Sequence, residues 1–231
     1  MLDQCVAEHT LFLIGAAARH LVSHASAMAQ SNWAQQVGSE LAGKTLTIIG
    51  LGHIGRAVAR MASAGFGMRV IGCTHSPVPR DIRELGIEKA FDDFSAAVKG
   101  ADYVSLHIPA TPANAHFMNR ERLALLPKGA WLINTARGSI VDEVALFNAL
   151  AAKRLAGAAL DVFEREPYEP ADPQCDLRKL DNVVLTPHIA SDTVEGNRRI
   201  AERTLHNITL AQAARCAEMD LLNPEVLKEL S

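Results

Sequence analysis

The sequence lacks the features that mark secreted and membrane-bound proteins. It has only four cysteines in 231 residues, and no two of them form a CxxC pair, so neither a disulfide framework nor a paired-cysteine site is expected. The apolar run over residues 11–18 is too short to cross a bilayer, and Asp3 stands where a signal peptide carries positive charge. These absences predict a cytoplasmic protein with reduced thiols.

An excess of charge of one sign is also lacking. The chain has 23 basic and 26 acidic residues, a formal net charge of −3, and no basic run or stripe. A nucleic-acid or membrane partner is therefore not expected, and small molecules are the predicted partners. With 48% hydrophobic residues, the chain is long enough for one or two domains with a sizeable core.

One glycine-rich turn is the most informative stretch of the sequence. Residues 50–55 read Gly-Leu-Gly-His-Ile-Gly, follow the apolar run 44–49 and open the helical segment 56–64. Between a strand and a helix, the first glycine allows a tight turn, the second lets a pyrophosphate approach the backbone, and the third lets helix and strand pack closely. The motif alone is weak evidence, since glycines also mark ordinary surface turns. Its setting nevertheless predicts a dinucleotide site that uses Gly50, Gly52, His53, Ile54 and Gly55.

Helical and strand patterns alternate along the chain. The predicted helices cover residues 6–30, 56–64, 81–85, 94–99, 120–126, 142–152 and 193–217, and the predicted strands cover 44–49, 68–73, 103–108, 130–134, 156–161 and 183–185. Short, nearly all-apolar strands between helices indicate a parallel sheet buried on both faces. The predicted fold class is therefore α/β, with a doubly wound parallel sheet. Asp142 is expected to cap the helix that follows it.

Two further segments have a distinct character. Residues 164–181, rich in Pro, Asp and Glu, form the longest irregular stretch, and long loops in a compact domain are often functional. Residues 193–217 read as an amphipathic helix with one apolar stripe.

Five segments of the chain stand in an order known from one enzyme family. They read Val-Ala-Glu-His-Thr at 6–10, Gly-Leu-Gly-His-Ile-Gly at 50–55, Asn-Thr-Ala-Arg-Gly at 134–138, Gly-Ala-Ala-Leu-Asp-Val-Phe-Glu-Arg-Glu-Pro at 157–167 and Thr-Pro-His-Ile at 186–189. In this order, and over nearly its whole length, the chain resembles the D-isomer-specific 2-hydroxy acid dehydrogenases. Five motifs in sequence make the resemblance far more specific than any one of them.

The resemblance implies a domain organisation. Residues 1–190 would form a Rossmann dinucleotide-binding domain that includes an N-terminal helix of the kind through which relatives dimerise, so a homodimer is expected. Residues 191–231 would form a C-terminal helix that returns towards a smaller substrate domain. The family's active site lies in the cleft between the two domains.

The resemblance also assigns catalytic roles. Besides hydride, the reduction of a 2-oxo acid needs a proton for the carbonyl oxygen and a cation for the carboxylate. His188 is implied as the acid in reduction and the base in oxidation, with Glu166 as its acidic partner. Arg137 matches the substrate-binding arginine, whose planar fork can hold a carboxylate. Taken singly, such residues are more often structural or solvated, and it is the order of the motifs that favours catalysis.

Further residues are expected at the cofactor. Asp161 matches a position near the nicotinamide carboxamide, and Pro109, Thr135 and Ala136 are also predicted to contact the cofactor. His20 and His24 stand four residues apart on the first predicted helix, but no third ligand is evident, so no metal site is expected.

The sequence departs from the family pattern at the end of the second strand. Enzymes that use NAD usually place Asp or Glu there to bind the adenosine ribose, but this chain has Thr74, and no carboxylate appears between Lys44 and Arg80. A 2′-phosphate would meet no repulsive anion and could find Thr74, His75, Ser76 and Arg80 as donors. NADP is therefore preferred over NAD as the expected cofactor, the alternative being an NAD site that lacks one hydrogen bond.

The second departure lies at the start of the chain. Family members carry a segment on the order of 100 residues, the size of a small domain, ahead of the Val-Ala-Glu-His motif, with which this chain begins. Two hypotheses follow. The first is an NAD(P)-dependent oxidoreductase, in truncated form, that acts on a small D-2-hydroxy or 2-oxo acid such as glyoxylate or hydroxypyruvate. The second is a catalytically impaired nucleotide-binding module with a regulatory role. The intact set of Arg137, Glu166 and His188 favours the enzyme, because a binding module needs no proton donor.

Overall fold

The computed structural model describes residues 2–75, residues 82–221 and Glu225. Within these ranges the helices are α1 (Asp3–Ala18), α2 (Leu21–Ala29), α3 (His53–Phe66), α4 (Phe94–Val98), α5 (Arg120–Leu125), α6 (Glu143–Ala151) and α7 (Val194–Gln212). The strands are β1 (Thr45–Ile49), β2 (Arg69–Cys73), β3 (Ile87–Phe91), β4 (Tyr103–Leu106), β5 (Trp131–Asn134), β6 (Gly157–Leu160) and β7 (Val183–Leu185). None of the helices in the described ranges combines the length and the apolar character needed to cross a membrane.

All seven strands join one parallel sheet in the order β3-β2-β1-β4-β5-β6-β7. The chain builds outwards from β1 to β3 in one direction and then from β4 to β7 in the other. This is the doubly wound arrangement predicted from the alternating pattern, and the fold class is confirmed. The direction of winding reverses between β1 and β4, and in such sheets ligands bind outside the carboxyl ends of the strands at that point.

The core lies on both faces of the sheet. Successive side chains of a strand point to opposite faces, and Leu132 and Ile133 of β5 accordingly belong to two separate clusters of buried residues. Ile48 and Ile49 of β1 divide in the same way. Each such aliphatic side chain contributes about 1.5–3 kcal/mol when fully buried, so the all-apolar strands that defined the sequence pattern also supply the stability of the sheet.

Side-chain caps begin several helices. Asp93 accepts a hydrogen bond from the backbone N–H of Ala96 at the start of α4. Asp142 accepts from the N–H of Ala145 at the start of α6, which confirms the capping role predicted for it. Each cap satisfies one N–H that the helix leaves without a partner and is worth about 1 kcal/mol.

The single helix predicted over residues 6–30 is wrong, because the structure has α1 and α2 in its place. The break falls at His20, whose backbone is left-handed with φ of 50°. Neither Gly nor Pro marks the break in the sequence, so the helical pattern continues through it. The two halves differ in packing: α1 buries nine of its side chains, whereas α2 buries none.

The helix predicted over residues 81–85 is also not found. Residue 81 lies outside the described ranges, and residues 82–86 form turns that end at Gly86, with φ of +73°. The next residues form β3, which the sequence analysis did not predict. It is one of the two edge strands of the sheet, and its Glu88 and Lys89 are exposed, so it lacks the apolar run by which the buried strands were recognised.

Residues 3–190 form one compact unit, and the described residues from Ser191 onwards form a second. The second unit contains α7, which Thr193 caps by accepting from the N–H of Gly196. All the candidate site residues lie in the first unit.

Candidate active site

The glycine turn joins β1 to α3 at the point where the sheet changes direction. Gly50 has φ of +99°, and a Cβ there would lie 2.5 Å from the carbonyl oxygen of His107. A Cβ on Gly55 would lie 2.1 Å from the carbonyl oxygen of Gly50. Neither position can hold a larger residue without moving backbone. At Gly52, which precedes the first residue of α3, a Cβ would meet no atom within 4 Å, so this backbone is open to an approaching group.

A cleft of about 440 Å³ opens beside this turn. Five of the residues predicted to bind the cofactor line it, namely Gly50, Gly52, Thr74, His75 and Pro109. The other predicted cofactor residues within the described ranges do not line this cleft, and these are His53, Ile54, Gly55, Thr135, Ala136 and Asp161. Ser76 lies outside the described residues. The open backbone of Gly52 at the start of α3 and the cleft in front of it fit the pyrophosphate of a dinucleotide.

Two basic side chains line the same cleft, and the sequence analysis missed both. Arg56 on α3 donates from Nε to the carbonyl oxygen of Leu51 at 2.8 Å, so its guanidinium is tied to the glycine turn. His107 follows β4, and its Nε2 lies 2.8 Å from Oγ of Ser105. Burial lowers the pKa of His107 to about 4, which keeps its ring neutral at pH 7. The signal for both residues was the position directly after the glycine turn or after a strand.

A second cleft, of about 490 Å³, contains the predicted acid and its partner. Nδ1 of His188 lies 2.6 Å from Oε2 of Glu166, while Oε1 of Glu166 accepts from the backbone N–H of Phe163 at 2.9 Å. The carboxylate is thus held at both oxygens and directs the ring of His188. The two side chains are 42% and 36% exposed, so the pair is reachable from solvent. The two residues are 22 positions apart in the chain, and the structure brings together the pair that the family resemblance implied.

Arg137 lies in the loop that follows β5. The side-chain amide of Asn134 holds the backbone of this loop, because it accepts a hydrogen bond from the N–H of Ala136 at 3.0 Å and donates one to the carbonyl oxygen of Arg137 at 2.9 Å. Arg137 itself is exposed, and its Nη1 donates to the carbonyl oxygen of Ala136. A Cβ on Gly138 would lie 1.8 Å from the carbonyl carbon of Phe163. The loop that carries Arg137 therefore packs directly on the loop that carries Glu166.

The parallel sheet explains why these three loops meet. Asn134, Leu160 and Leu185 end β5, β6 and β7, and they are paired in register across the three neighbouring strands. Arg137, Glu166 and His188 follow those residues by three, six and three positions. The carboxyl ends of parallel strands share one edge of the sheet, which is where such folds place their ligand-binding groups.

Two predicted cofactor residues make their hydrogen bonds inside the protein. Oγ1 of Thr135 lies 2.9 Å from Oγ1 of Thr10, and both residues are buried. The Asp161 carboxylate is fully buried and accepts hydrogen bonds from the hydroxyl of Thr186 and from the backbone N–H groups of Ile189 and Ala190. Both side chains therefore hold the loops around the site through buried hydrogen bonds.

A cluster formed by Glu143, Glu164 and His116 also holds the loop that carries Glu166. Oε1 of Glu164 accepts from the N–H of Glu143 at 3.1 Å and lies 3.0 Å from Nε2 of His116. In return, Oε1 of Glu143 accepts from the N–H of Glu164 at 2.7 Å. Burial raises the pKa of Glu143, and the neighbouring carboxylates of Glu164 and Glu166 add to the effect. The sequence indicated that this loop is functional, but it did not predict the cluster.

Comparison with known proteins agrees with this geometry. A family model described as D-isomer specific 2-hydroxyacid dehydrogenase, NAD binding domain, matches residues 11–190. The chain is 40% identical to the glyoxylate reductase of Thermofilum pendens over 238 residues, an alignment that covers 99% of this chain and 67% of that protein.

Solved structures show the same similarity. The D-lactate dehydrogenase from Aquifex aeolicus complexed with NAD and lactic acid superposes with a TM-score of 0.82 at 32% identity, over 92% of this chain and 67% of that one. An acyclic imino acid reductase in complex with NADPH and D-Arg superposes with a TM-score of 0.81 at 32% identity, over 95% of this chain and 68% of that one. The chain thus spans about two thirds of the length of each of these proteins.

Proposed function

Because the chain belongs to the D-isomer specific 2-hydroxyacid dehydrogenase family, a family of nicotinamide-dependent oxidoreductases that act on the CH–OH group of 2-hydroxy acids, we propose that it transfers a hydride between NAD(P) and a small D-2-hydroxy acid or 2-oxo acid. The substrate class is that of glyoxylate and hydroxypyruvate, since a relative at 40% identity is named a glyoxylate reductase. The alternative of a regulatory nucleotide-binding module is not favoured, because the proton-donating pair is intact.

The pairing of His188 with Glu166 at 2.6 Å is the observation that carries this proposal. A nicotinamide dinucleotide held at the glycine turn through its pyrophosphate would supply the hydride. Glu166 accepts a hydrogen bond from Nδ1–H of His188 and orients the ring, which leaves Nε2–H to donate a proton to the substrate's carbonyl oxygen. In the direction of oxidation, the neutral ring takes that proton back. The 42% exposure of His188 gives a substrate access to the ring.

Arg137 supplies the cation for the substrate's carboxylate. Its side chain is exposed at the edge of the sheet that carries His188 and Glu166. A guanidinium can hold a carboxylate with two parallel hydrogen bonds and so orient the adjoining carbonyl for attack. This role is supported by the two hydrogen bonds through which the Asn134 side chain holds the backbone at Ala136 and Arg137.

NADPH is the preferred cofactor in this proposal. Thr74 and His75 line the cleft where an NAD enzyme would usually place an acidic residue, and Arg56 lines the same cleft. No acidic residue is among the described residues that line it, so a 2′-phosphate would meet hydrogen-bond donors and positive charge in place of repulsion. The similarity to structures with NAD and with NADPH supports a nicotinamide cofactor of either kind.

The chain is further proposed to form a homodimer. Large apolar side chains of α1, α2 and the segment after them are exposed, namely Phe12, Leu21, Val22, Met28, Trp33 and Val37. Several large apolar side chains exposed within one stretch of the chain favour an interface. A cytoplasmic location remains a prediction from the cysteine content.

The experiment that tests the function is steady-state oxidation of NADPH and NADH by the purified chain with glyoxylate or hydroxypyruvate. We expect slow turnover, because the His188–Glu166 pair is open to water and catalysis depends on excluding it. His188→Ala should lower turnover by about 100-fold or more, since it removes the proton donor. Its affinity for NADPH should not change, because the glycine turn is intact. Equal 2-oxo acid-dependent turnover in both proteins would refute the catalytic role.

A further inference from the structure

His188 has a backbone conformation that needs support. Its φ of 56° lies in the left-handed region, which residues other than glycine rarely adopt. Such a conformation persists where the surrounding structure determines it on several sides. The contact between His188 and Glu166 explains where the ring points, but it does not explain what holds the backbone.

The Asp161 carboxylate holds the residues on either side of His188. Oδ1 accepts from the N–H of Ile189 at 3.0 Å, and Oδ2 accepts from the N–H of Ala190 at 2.8 Å. On the other side of the histidine, the hydroxyl of Thr186 donates to Oδ1 at 2.5 Å. One buried carboxylate therefore anchors both ends of the turn. Its own position is set by the chain, since the N–H of Asp161 donates to the carbonyl oxygen of Asn134 at 3.0 Å.

The remaining neighbour of this carboxylate is His9 of α1. Nε2 of His9 lies 3.4 Å from Oδ1 of Asp161 and 3.2 Å from Oγ1 of Thr186. The Thr186 hydroxyl has a single proton and gives it to Asp161, so it can only accept from His9. Nε2 of His9 must therefore carry a proton and donate it to the threonine and the aspartate together.

The balance of effects on Asp161 agrees with this arrangement. Burial alone would raise the pKa of its carboxyl, but hydrogen bonds from His9, Thr186 and the backbone N–H groups of Ile189 and Ala190 outweigh burial and lower the pKa. The carboxylate is thus charged at neutral pH and accepts all of these bonds. His9 is the one side chain in the set that comes from the N-terminal helix.

We propose that His9 is a positioning residue, which acts through Asp161 to hold the turn over residues 186–190 and thereby the His188 ring in its catalytic geometry. The proposal rests on the proposed function for the meaning of that geometry. The position of Asp161 near the nicotinamide carboxamide stays a prediction beside this role.

The experiment compares four proteins, namely the wild type, His9→Leu, His9→Gln and His24→Ala. Leucine cannot donate a hydrogen bond, whereas the amide nitrogen of glutamine can reach as far as Nε2 and donate. His24 is the matched control, because it is a histidine of the neighbouring helix α2 that also has a hydrogen bond, from the N–H of Gln36. The first readout is hydrogen exchange of the Ile189 and Ala190 amides by NMR, and the second is kcat for glyoxylate reduction beside the Kd for NADPH.

In the wild type, both amides should be protected from exchange. His9→Leu should lower their protection at least tenfold and lower kcat by a similar factor, with the Kd for NADPH unchanged. His9→Gln should restore most of both properties, and His24→Ala should resemble the wild type. A weakened Kd for NADPH in step with kcat would instead support the role of Asp161 at the cofactor and overturn the proposal.

The hydrogen-exchange measurement tests the role of His9 independently of the proposed catalytic function. Unprotected amides at Ile189 and Ala190 in the wild type would overturn the anchor even if His9→Leu failed to fold. Unchanged protection in a folded His9→Leu would do the same. If the wild type reduced no 2-oxo acid, the proposed function would fail while the exchange data still decided whether His9 holds the turn.

Discussion

At the scale of single residues, the protonation state of His107, which lines the cofactor cleft, should make the free energy of unfolding depend on pH. Burial lowers the pKa of this ring to about 4 in the folded protein, against about 6.5 in an unfolded chain. The unfolded state therefore binds more protons between these values, and the stabilising effect present above pH 6.5 is lost as the pH falls towards 4. The loss between pH 7 and pH 5 should be on the order of 1–2 kcal/mol.

His107→Gln tests this link. The variant should lose less stability than the wild type between pH 7 and pH 5, since glutamine does not titrate. Urea unfolding at the two pH values measures the difference, and the loss of the contact with Ser105 affects both values equally. A variant whose stability falls with pH as steeply as that of the wild type would show that His107 does not contribute.

At the same scale, Thr74 is the residue proposed to determine cofactor choice. Thr74→Asp should shift the balance of affinities towards NADH, because a carboxylate repels the 2′-phosphate and accepts hydrogen bonds from the ribose. Fluorescence titration with both cofactors gives the ratio of Kd values. We expect the wild type to bind NADPH at least as tightly as NADH, and tenfold tighter binding of NADH, about 1.4 kcal/mol, would contradict the preference.

Some of the site could be predicted from sequence and some could not. The glycine turn and His188 were predicted because motifs report local geometry and residue order. His9 was not assigned to the site, because its significance arises from contacts made across the fold. Arg56 and His107 were not assigned although their contacts are local, because no motif singled them out. His9 lies 177 residues from Thr186 in the chain, and no local pattern connects the two.

At the scale of elements, helix α3 contains two glycines with opposite requirements. A Cβ on Gly55 would lie 2.1 Å from a backbone oxygen, whereas a Cβ on Gly65 would meet no atom within 4 Å. Gly55→Ala should therefore lower the melting temperature and abolish NADPH binding. Gly65→Ala, the matched control on the same helix, should leave binding unchanged and stabilise the protein by up to about 1 kcal/mol. Thermal unfolding and NADPH titration measure both, and wild-type affinity in Gly55→Ala would contradict the assigned role of the turn.

The strands could be predicted from sequence where most of their residues are apolar. The strands β1, β4, β5 and β6 are almost entirely buried, so an apolar run was enough to find them. Strand β7 is a half-buried edge strand, but all three of its residues are apolar, so the same signal was present. Strand β3 lies at the edge and carries exposed charges, which removed that signal. The break between α1 and α2 depends on packing, since only α1 has buried side chains.

At the scale of the whole molecule, the exposed apolar surface around α1 and α2 predicts self-association. Light scattering should give the mass of a dimer for the wild type. Phe12→Asp should shift the mass towards that of a monomer, because Phe12 is 67% exposed and a charge at a dry interface is costly. Leu125→Asp, at an exposed leucine of α5, is the control and should remain dimeric. A monomeric wild type would contradict the prediction.

The long-range bonds of α1 also have a consequence for the order of events during synthesis. Thr10 contacts Thr135, and His9 contacts Asp161 and Thr186, so α1 makes these contacts only after residues much later in the chain have been translated. At about 5–20 residues per second, the delay between translating residue 9 and residue 186 is on the order of ten to thirty seconds. Helix α3, which packs against α1, is translated early and can cover part of its apolar face, whereas the hydrogen bonds of His9 form only after the whole of that interval.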